Sequence, residues 1–123
     1  MNVVDSSAWL EYLVDSERAS LFAEPIERTD QLIVPVLVIY ELFKKVLRER
    51  GEQHAIEVFG LLSQANVVDV DAELATAAAR LSLPLADGII YATARRHSAI
   101  LWTQDEHFAD LPGVKFFPKR QVE

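Results

Sequence analysis

Short apolar runs and amphipathic stretches alternate along the whole chain. The apolar runs predict strands, and they occupy residues 2–4, 32–35, 66–70, 99–103 and 114–117. The amphipathic stretches predict helices, and they occupy residues 6–14, 18–28, 36–50, 52–64, 72–82 and 87–97. Strands that are apolar throughout belong to sheets buried on both faces. The pattern therefore predicts an α/β fold of three layers, in which helices cover a central parallel sheet of four to five strands.

Capping and breaking residues place several helix boundaries. Ser6 is expected to cap the first helix, Pro35 suits the first turn of the third, and Gly51 is a natural stop for it. The helix that follows the break at Pro84 is expected to begin near Asp87. In the third helix we expect an apolar face made of Leu37, Tyr40, Phe43 and Leu47. No repeat, linker or low-complexity tract separates these elements.

Composition bounds the fold and the compartment. The chain has 123 residues, half of them hydrophobic, so we expect one domain that spans residues 1–123. It has no cysteine, which excludes disulfides, zinc–thiolate sites and thiol nucleophiles. No apolar run approaches the roughly 20 residues of a membrane span, and the first residues do not resemble a secretion signal. We therefore expect a cytoplasmic protein with no membrane partner.

The charge balance opposes a nucleic-acid partner unless it is reversed locally. Nineteen Asp and Glu residues against twelve Lys and Arg residues give a formal charge of −7, which repels polyanions on average. A divalent cation or a small basic rim reverses the potential where contact is made. The candidates for such a rim are Lys44, Lys45, Arg48, Arg95 and Arg96, although solvated helix faces are the simpler explanation for most of them.

Four carboxylates are predicted to meet at one edge of the sheet. Sites in open parallel sheets form beyond the carboxyl ends of the strands, near the point where the strand order reverses. Asp5 ends the first strand, and Asp105 lies two residues beyond the strand that ends near Thr103. Asp87 begins a helix, and Glu41 lies in the early turns of the helix that leaves the second strand. All four side chains can therefore converge.

Each of these acids also has an ordinary structural explanation. Asp5 and Asp87 suit helix N-caps, a role worth about 1 kcal/mol. Glu41 suits an exposed pair with Lys45, and Asp105 suits a loop in which it bonds nearby backbone. The apolar residues that follow Asp87 at helical spacing, and those that surround Glu41, favour inward positions for both side chains instead.

Together the four acids pose an electrostatic problem. Two carboxylates about 5 Å apart repel by roughly 3 kcal/mol at an effective dielectric of about 20, and four contain up to about six such pairs. A domain stabilised by roughly 5 to 15 kcal/mol needs protons or cations to compensate this repulsion. An all-oxygen set favours a hard ion, Mg²⁺ or Mn²⁺, over zinc. Such ions bind phosphate oxygens and activate water, so the pattern indicates hydrolysis of a nucleic-acid backbone.

Neighbouring polar residues receive weaker assignments. The hydroxyl of Thr103 is expected to orient a bound water or Asp105. His107 adjoins Asp105, but a metal-ligand or base role is disfavoured because a hydroxide made at a metal needs no histidine base. His54 and His97 receive no role.

Three segments resemble the PIN domain family, and within it the VapC-type toxin ribonucleases of prokaryotic toxin–antitoxin pairs. The stretch "VVDSSAWLEYL" resembles the family's opening strand, acid, hydroxyl and helix, and "VPVLVIYEL" resembles the segment that carries its Glu. The stretch "LPLADGIIYATARRHSAILWTQDEHF" resembles its long Asp-containing helix, followed by a strand and T-x-D-x-x-F. The three segments occur in order and in register, and the match spans nearly the whole chain.

The resemblance implies a PIN-like nuclease domain with Mg²⁺- or Mn²⁺-dependent endoribonuclease activity on RNA. It implies that the catalytic and metal-binding residues are Asp5, Glu41, Asp87 and Asp105, the same acids that the strand ends select. Ser6 and Thr103 match polar positions that family members place near the metal. The resemblance also implies a homodimer and a small antitoxin protein that wraps the toxin and blocks its acidic cleft.

Three other functions stay open. A PIN-type nuclease of RNA processing or DNA repair that is not a toxin would use the same residues. A PIN-like fold whose carboxylates hold a cation without turnover would be a binding protein. A receiver-like, Mg²⁺-binding signalling domain has a similar length and alternation, but it needs an acceptor Asp after the third strand and a Lys after the fifth. Asp69 and Asp71 offer the former only loosely, and Thr103 with Gln104 occupy a strand exit where a Lys is sought.

Overall fold

Five strands and six helices make up the described part of the chain. The computed structural model describes residues 1–119, so residues 120–123 of the expected domain lie outside it. The strands are β1 (Asn2–Val4), β2 (Leu32–Pro35), β3 (Asn66–Val68), β4 (Ile100–Thr103) and β5 (Val114–Phe116). The helices are α1 (Ser6–Leu13), α2 (Ala19–Glu27), α3 (Val36–Arg50), α4 (Glu52–Leu62), α5 (Ala72–Ala79) and α6 (Leu85–Arg96), with 3₁₀ turns at Thr29–Gln31 and Glu106–Phe108. The predicted α/β alternation is confirmed.

All five strands pair in parallel, in the spatial order β3-β2-β1-β4-β5. Asn2 aligns with Leu32 of β2 on one side and with Ile100 of β4 on the other. The chain adds β2 and β3 on one side of β1 and then returns to place β4 on its other side, so the strand order reverses between β1 and β4. Receiver domains use the order 2-1-3-4-5. The receiver-like alternative is therefore wrong.

The core lies on the three central strands. Val3, Val4, Ile33, Val34 and Leu101 are at most 2% exposed, as continuous apolar strands require. Strands β3 and β5, at the sheet edges, are partly exposed. Helix α2 packs on β1, α1 packs on β4, and α3 and α6 both contact β2, so the sheet is flanked by helices. Within residues 1–119, no helix is both long and apolar enough to cross a membrane.

Three predicted boundary details are wrong. Asp5, and not Ser6, caps α1, because its carboxylate accepts the amide of Ala8. Helix α6 begins at Leu85, two residues before Asp87, because the fixed φ of Pro84 suits the position that precedes a helix. Pro35 ends β2 and precedes α3 for the same reason. Gly51, with φ of 90°, ends α3 as expected.

The expected apolar face of α3 is also wrong. The buried residues of this helix are Val38, Leu42 and Val46, whereas Tyr40 is 59% exposed and Leu47 is 44% exposed. Both sets repeat at helical spacing, so periodicity alone does not choose between them. The packing of α3 against α1, α4 and the sheet decides which side is inward.

Candidate functional site

Asp5 lies at the carboxyl end of β1, where the strand order reverses. Its side chain is buried, with 4% of the residue exposed. Oδ1 accepts the amide of Ala8 at 3.1 Å and the hydroxyl of Ser7 at 3.3 Å, while Oδ2 accepts the hydroxyl of Thr103 at 2.5 Å. Asp5 is thus a helix cap as well as a site residue, because its two oxygens are used separately.

Thr103 holds two acids in place. Besides donating to Asp5, its Oγ1 accepts the backbone amide of Asp105 at 2.9 Å. The predicted contact of Thr103 with Asp105 therefore exists, but it involves the backbone of Asp105. The hydroxyl orients the carboxylate of Asp5 instead. Thr103 is fully buried, so both hydrogen bonds are shielded from water.

Glu41 reaches the same edge from α3. Its Oε1 accepts the hydroxyl of Ser6 at 2.6 Å. The exposed pair with Lys45 is not formed, because Lys45 pairs with Glu49 at 2.8 Å. Ser6, for which the family resemblance predicts a place near a metal, thus connects the start of α1 to the acid of α3.

Among the described residues, Asp87, Asp105 and His107 form a compact group of potential metal ligands. Nδ1 of His107 lies 2.7 Å from Oδ2 of Asp87 and 3.3 Å from Oδ1 of Asp105. One ligand atom of each residue lies within 4.8 Å of the others. Asp87 comes from the first turn of α6, whose following residues Ile90 and Tyr91 are buried, as predicted. The direct contact of His107 with both acids is a feature that the sequence interpretation missed.

A cleft of about 460 Å³ joins the four acids. Its lining includes all four predicted acids, together with Ser6, Ser7 and Tyr40 and the basic residues Lys44, Lys45 and Arg48. Two of the five expected rim residues are elsewhere: Arg96 pairs with Asp71 at 2.9 Å, and Arg95 lies at the turn that contains Gly113. Of the predicted basic residues, only those of α3 therefore line this cleft.

The clustered charges change the acidities of the site. Burial, with a smaller contribution from the charge of Asp105, raises the pKa of Asp5 to about 6 against the opposing hydrogen bonds from Thr103 and Ala8. Burial also raises the pKa of Asp87, against the hydrogen bond with His107. The hydrogen bond with Asp87 and the charge of Asp105 raise the pKa of His107. The charge of Asp105 thus contributes to the raised pKa of both Asp5 and Asp87, as the predicted repulsion requires, while burial is the larger cause.

The donor set fits a divalent cation. Asp87 and Asp105 offer carboxylate oxygens within reach of one ion, and Asp5 lies close enough for its pKa to respond to the charge of Asp105. Carboxylate oxygens are the ligands that Mg²⁺ and Mn²⁺ prefer. Glu41 lines the same cleft, but it is not part of the compact ligand group. We conclude that the site can hold a hard cation near Asp87 and Asp105.

The fold and this acidic cleft define a parallel α/β domain with its site at the topological switch point. The family model of the PIN domain matches residues 3–114, and the chain belongs to the PIN domain family.

Solved structures agree with this assignment. A chain from a toxin–antitoxin complex of Klebsiella pneumoniae is 25% identical, with a TM-score of 0.76 and coverage of 94% of this chain and 96% of that chain. VapC20 of Mycobacterium tuberculosis, described as a sarcin-ricin loop cleaving toxin, is 19% identical, with a TM-score of 0.72 and coverage of 93% and 97%. FitAcB of Neisseria gonorrhoeae is 20% identical, with a TM-score of 0.71 and coverage of 95% and 96%. The comparison with curated proteins gave no match.

Proposed function

We propose that this PIN domain is a metal-dependent endoribonuclease that hydrolyses RNA phosphodiester bonds as the toxin of a type II, VapBC-like toxin–antitoxin pair. The observation that carries the proposal is the meeting of acids from four separate segments in one cleft on a PIN fold. The proposed catalytic and metal-binding residues are Asp5, Glu41, Asp87 and Asp105, and the proposed cofactor is Mg²⁺, with Mn²⁺ as an alternative.

Each side chain has a distinct proposed task. Asp87 and Asp105 hold the cation together with Asp5, whose carboxylate is oriented by the buried hydroxyl of Thr103. Glu41, fixed by the hydroxyl of Ser6, is placed to accept a proton or to orient a water in the cleft. When bound, the cation supplies charge neutralisation on the phosphate and a lowered pKa for attacking water.

A basic rim favours a polyanionic substrate despite the charge of −7. Lys44 and Arg48 lie one helical turn apart on α3 and line the same cleft as the acids. Tyr40, one turn earlier, is 59% exposed, and its ring lies 5.5 Å from the ammonium of Lys44. Exposed aromatic and cationic side chains in a row are typical of surfaces that bind single-stranded nucleic acid. We infer that RNA enters along this face of α3.

The toxin assignment implies a protein partner. Helices α3 and α4 pack together and carry exposed apolar side chains, namely Leu47, Ile56, Phe59 and Leu61. Such side chains are typical of surfaces that another protein covers. We propose two partners: a small antitoxin protein, as in the toxin–antitoxin complexes to which the fold is similar, and a second copy of this chain in a homodimer. The expected compartment is the cytoplasm, and the expected architecture is one nuclease domain over residues 1–123.

The first test is cleavage of a structured RNA pool by the purified chain with Mg²⁺ or Mn²⁺. We expect cleavage that is lost with EDTA and in Asp87→Asn. Asp30→Asn removes an equal charge from an exposed residue in the turn before β2, at the opposite ends of the strands, and should leave cleavage unchanged. Cleavage that persists in Asp87→Asn would assign the activity to a contaminant or to another site.

A second test separates a toxin from a PIN nuclease of RNA processing. Induced expression of the wild-type chain in bacterial cells should arrest growth, and expression of Asp87→Asn should not. Cleavage in vitro without growth arrest would favour the RNA-processing alternative. Metal binding without either effect would favour a protein that holds its cation without turnover.

A further inference from the structure

We propose that His107 is a metal ligand beside the proposed carboxylates of Asp5, Asp87 and Asp105, which makes the site a mixed nitrogen and oxygen site and biases it toward Mn²⁺ over Mg²⁺. This inference rests on the proposed function, because it concerns the cation of the same cleft.

The ligand-atom spacing carries the argument. Nδ1 of His107 lies 2.7 Å from Oδ2 of Asp87 and 3.3 Å from Oδ1 of Asp105. Adjacent ligands of an octahedral ion with bonds of about 2.1 Å are about 3 Å apart. Both distances from His107 thus match the spacing of adjacent ligands around a single ion, and all three ligand atoms lie within 4.8 Å of one another.

The local fold keeps the imidazole at this position. The backbone amide of His107 donates to Oδ1 of Asp105 at 2.9 Å, and the neighbouring Phe108 is fully buried in the core. The 3₁₀ turn Glu106–Phe108 therefore anchors the histidine on both sides. The side chain is 55% exposed, so Nε2 can keep its proton toward water while Nδ1 offers a lone pair to the ion.

A nitrogen ligand changes which ion the site prefers. Mg²⁺ binds almost entirely to oxygen, whereas imidazole suits first-row transition metals. An imidazole added to the carboxylates should therefore increase the preference of the site for Mn²⁺ over Mg²⁺. A histidine that served only as a counter-cation for the acids would not increase this preference, since any positive charge would serve.

The test measures metal binding without turnover. Titration calorimetry with Mn²⁺ and with Mg²⁺ is run on the wild-type chain, on His107→Ala, and on the matched controls His54→Ala and His97→Ala, which change other exposed histidines. His107→Ala should lose at least about tenfold in Mn²⁺ affinity. Even residues that only hydrogen-bond to a metal ligand typically cost about tenfold in affinity when they are changed. Its Mg²⁺ affinity should change less than its Mn²⁺ affinity, and the two control variants should match the wild type.

Electron spin echo spectroscopy of bound Mn²⁺ gives a direct readout. Modulation from an imidazole nitrogen should be present in the wild type and in both controls, and absent in His107→Ala. His107→Arg keeps a positive charge without the imidazole, so it should also lose the modulation. Equal Mn²⁺ affinity in His107→Ala, or a wild-type spectrum without nitrogen modulation, would overturn the inference and leave the proposed nuclease intact. A wild-type chain that binds neither ion would overturn both.

Discussion

The hydroxyl of Thr103 donates to the carboxylate of Asp5 across 98 residues of sequence. The same oxygen accepts the amide of Asp105, so one buried side chain connects the ends of β1 and β4 at the point where the strand order reverses. Two acids of the proposed metal site thus share one positioning residue.

Removal of this hydroxyl should weaken metal binding without removing a ligand. In Thr103→Val, the carboxylate of Asp5 loses a donor that lowers its pKa, so protons compete better with the cation. We expect a loss of about 10- to 100-fold in Mn²⁺ affinity by calorimetry. Thr103→Ser should retain most of the affinity, and Thr93→Val, which changes a buried threonine in α6, serves as the control for packing. Equal affinities in Thr103→Val and the wild type would remove Thr103 from the site.

The buried carboxylate of Asp5 should make the cation-free protein less stable as the pH rises. Its pKa is about 6 in the folded chain and 3.8 as the ordinary value, so folding favours the protonated form. The contribution of the protonated Asp5 side chain to the free energy of unfolding is complete below about pH 3.8 and is lost as the pH rises through about 6. At 1.36 kcal/mol per pKa unit, the loss is on the order of 3 kcal/mol.

Urea unfolding in EDTA at pH 5 and pH 8 measures this effect. The free energy of unfolding of Asp5→Asn, relative to that of the wild type, should be higher at pH 8 than at pH 5. Saturating Mn²⁺ should stabilise the wild type and have little effect on the variant. A difference between the two proteins that does not depend on pH would contradict the assigned acidity of Asp5.

Glu41 and Glu49 lie on the same helix and offer a matched comparison. Glu41 faces the cleft and accepts the hydroxyl of Ser6, whereas Glu49 forms an exposed pair with Lys45. Glu41→Gln should lower the cleavage rate by about 10²- to 10⁴-fold, the range for a positioned proton-transfer group, with an unchanged melting temperature. Glu49→Gln should leave the rate within about twofold. Single-turnover cleavage of a labelled RNA checks both, and similar rates for the two variants would exclude a chemical role for Glu41.

The basic rim predicts a defect in substrate binding that depends on salt. Lys44→Gln should raise KM for RNA, leave kcat unchanged and lower the slope of log affinity against log salt by about 0.7, the value for one phosphate contact on a single strand. Arg28→Gln removes the same charge from an exposed residue at the opposite ends of the strands, before β2. Fluorescence anisotropy of an RNA with the Asp87→Asn background measures binding apart from cleavage. An equal defect in both variants would indicate a general charge effect.

Most of the fold could be predicted from the sequence because its strands are buried on both faces. Val3, Val4, Ile33 and Val34 stand in continuous apolar runs, which are the local signal of central parallel strands. Every predicted element boundary lies within three residues of the observed one. The inward face of α3 could not be predicted, because the set that contains Val38 and Leu42 and the set that contains Tyr40 both repeat at helical spacing. Only tertiary packing resolves that competition.

The candidate site could be predicted only in part. The strand-end rule places Asp5 and Asp105 together, since parallel strands share a carboxyl edge. The hydrogen bond from Ser6 to Glu41 joins residues 35 positions apart, and no local pattern reveals it. His107 is adjacent to Asp105 in sequence, but its approach to Asp87 depends on how α6 meets the turn after β4. Contacts between separate elements carry no periodic signal.

The order in which the acids occur along the chain has a consequence for biosynthesis. Asp5 and Glu41 emerge early from the ribosome, but β1 meets β4 only after residue 103, and Asp105 follows still later. A nascent chain that has reached β3 therefore contains neither Asp87 nor Asp105 and cannot assemble the ligand group. The proposed nuclease is therefore inert during translation until Asp105 has been made and β4 has joined β1.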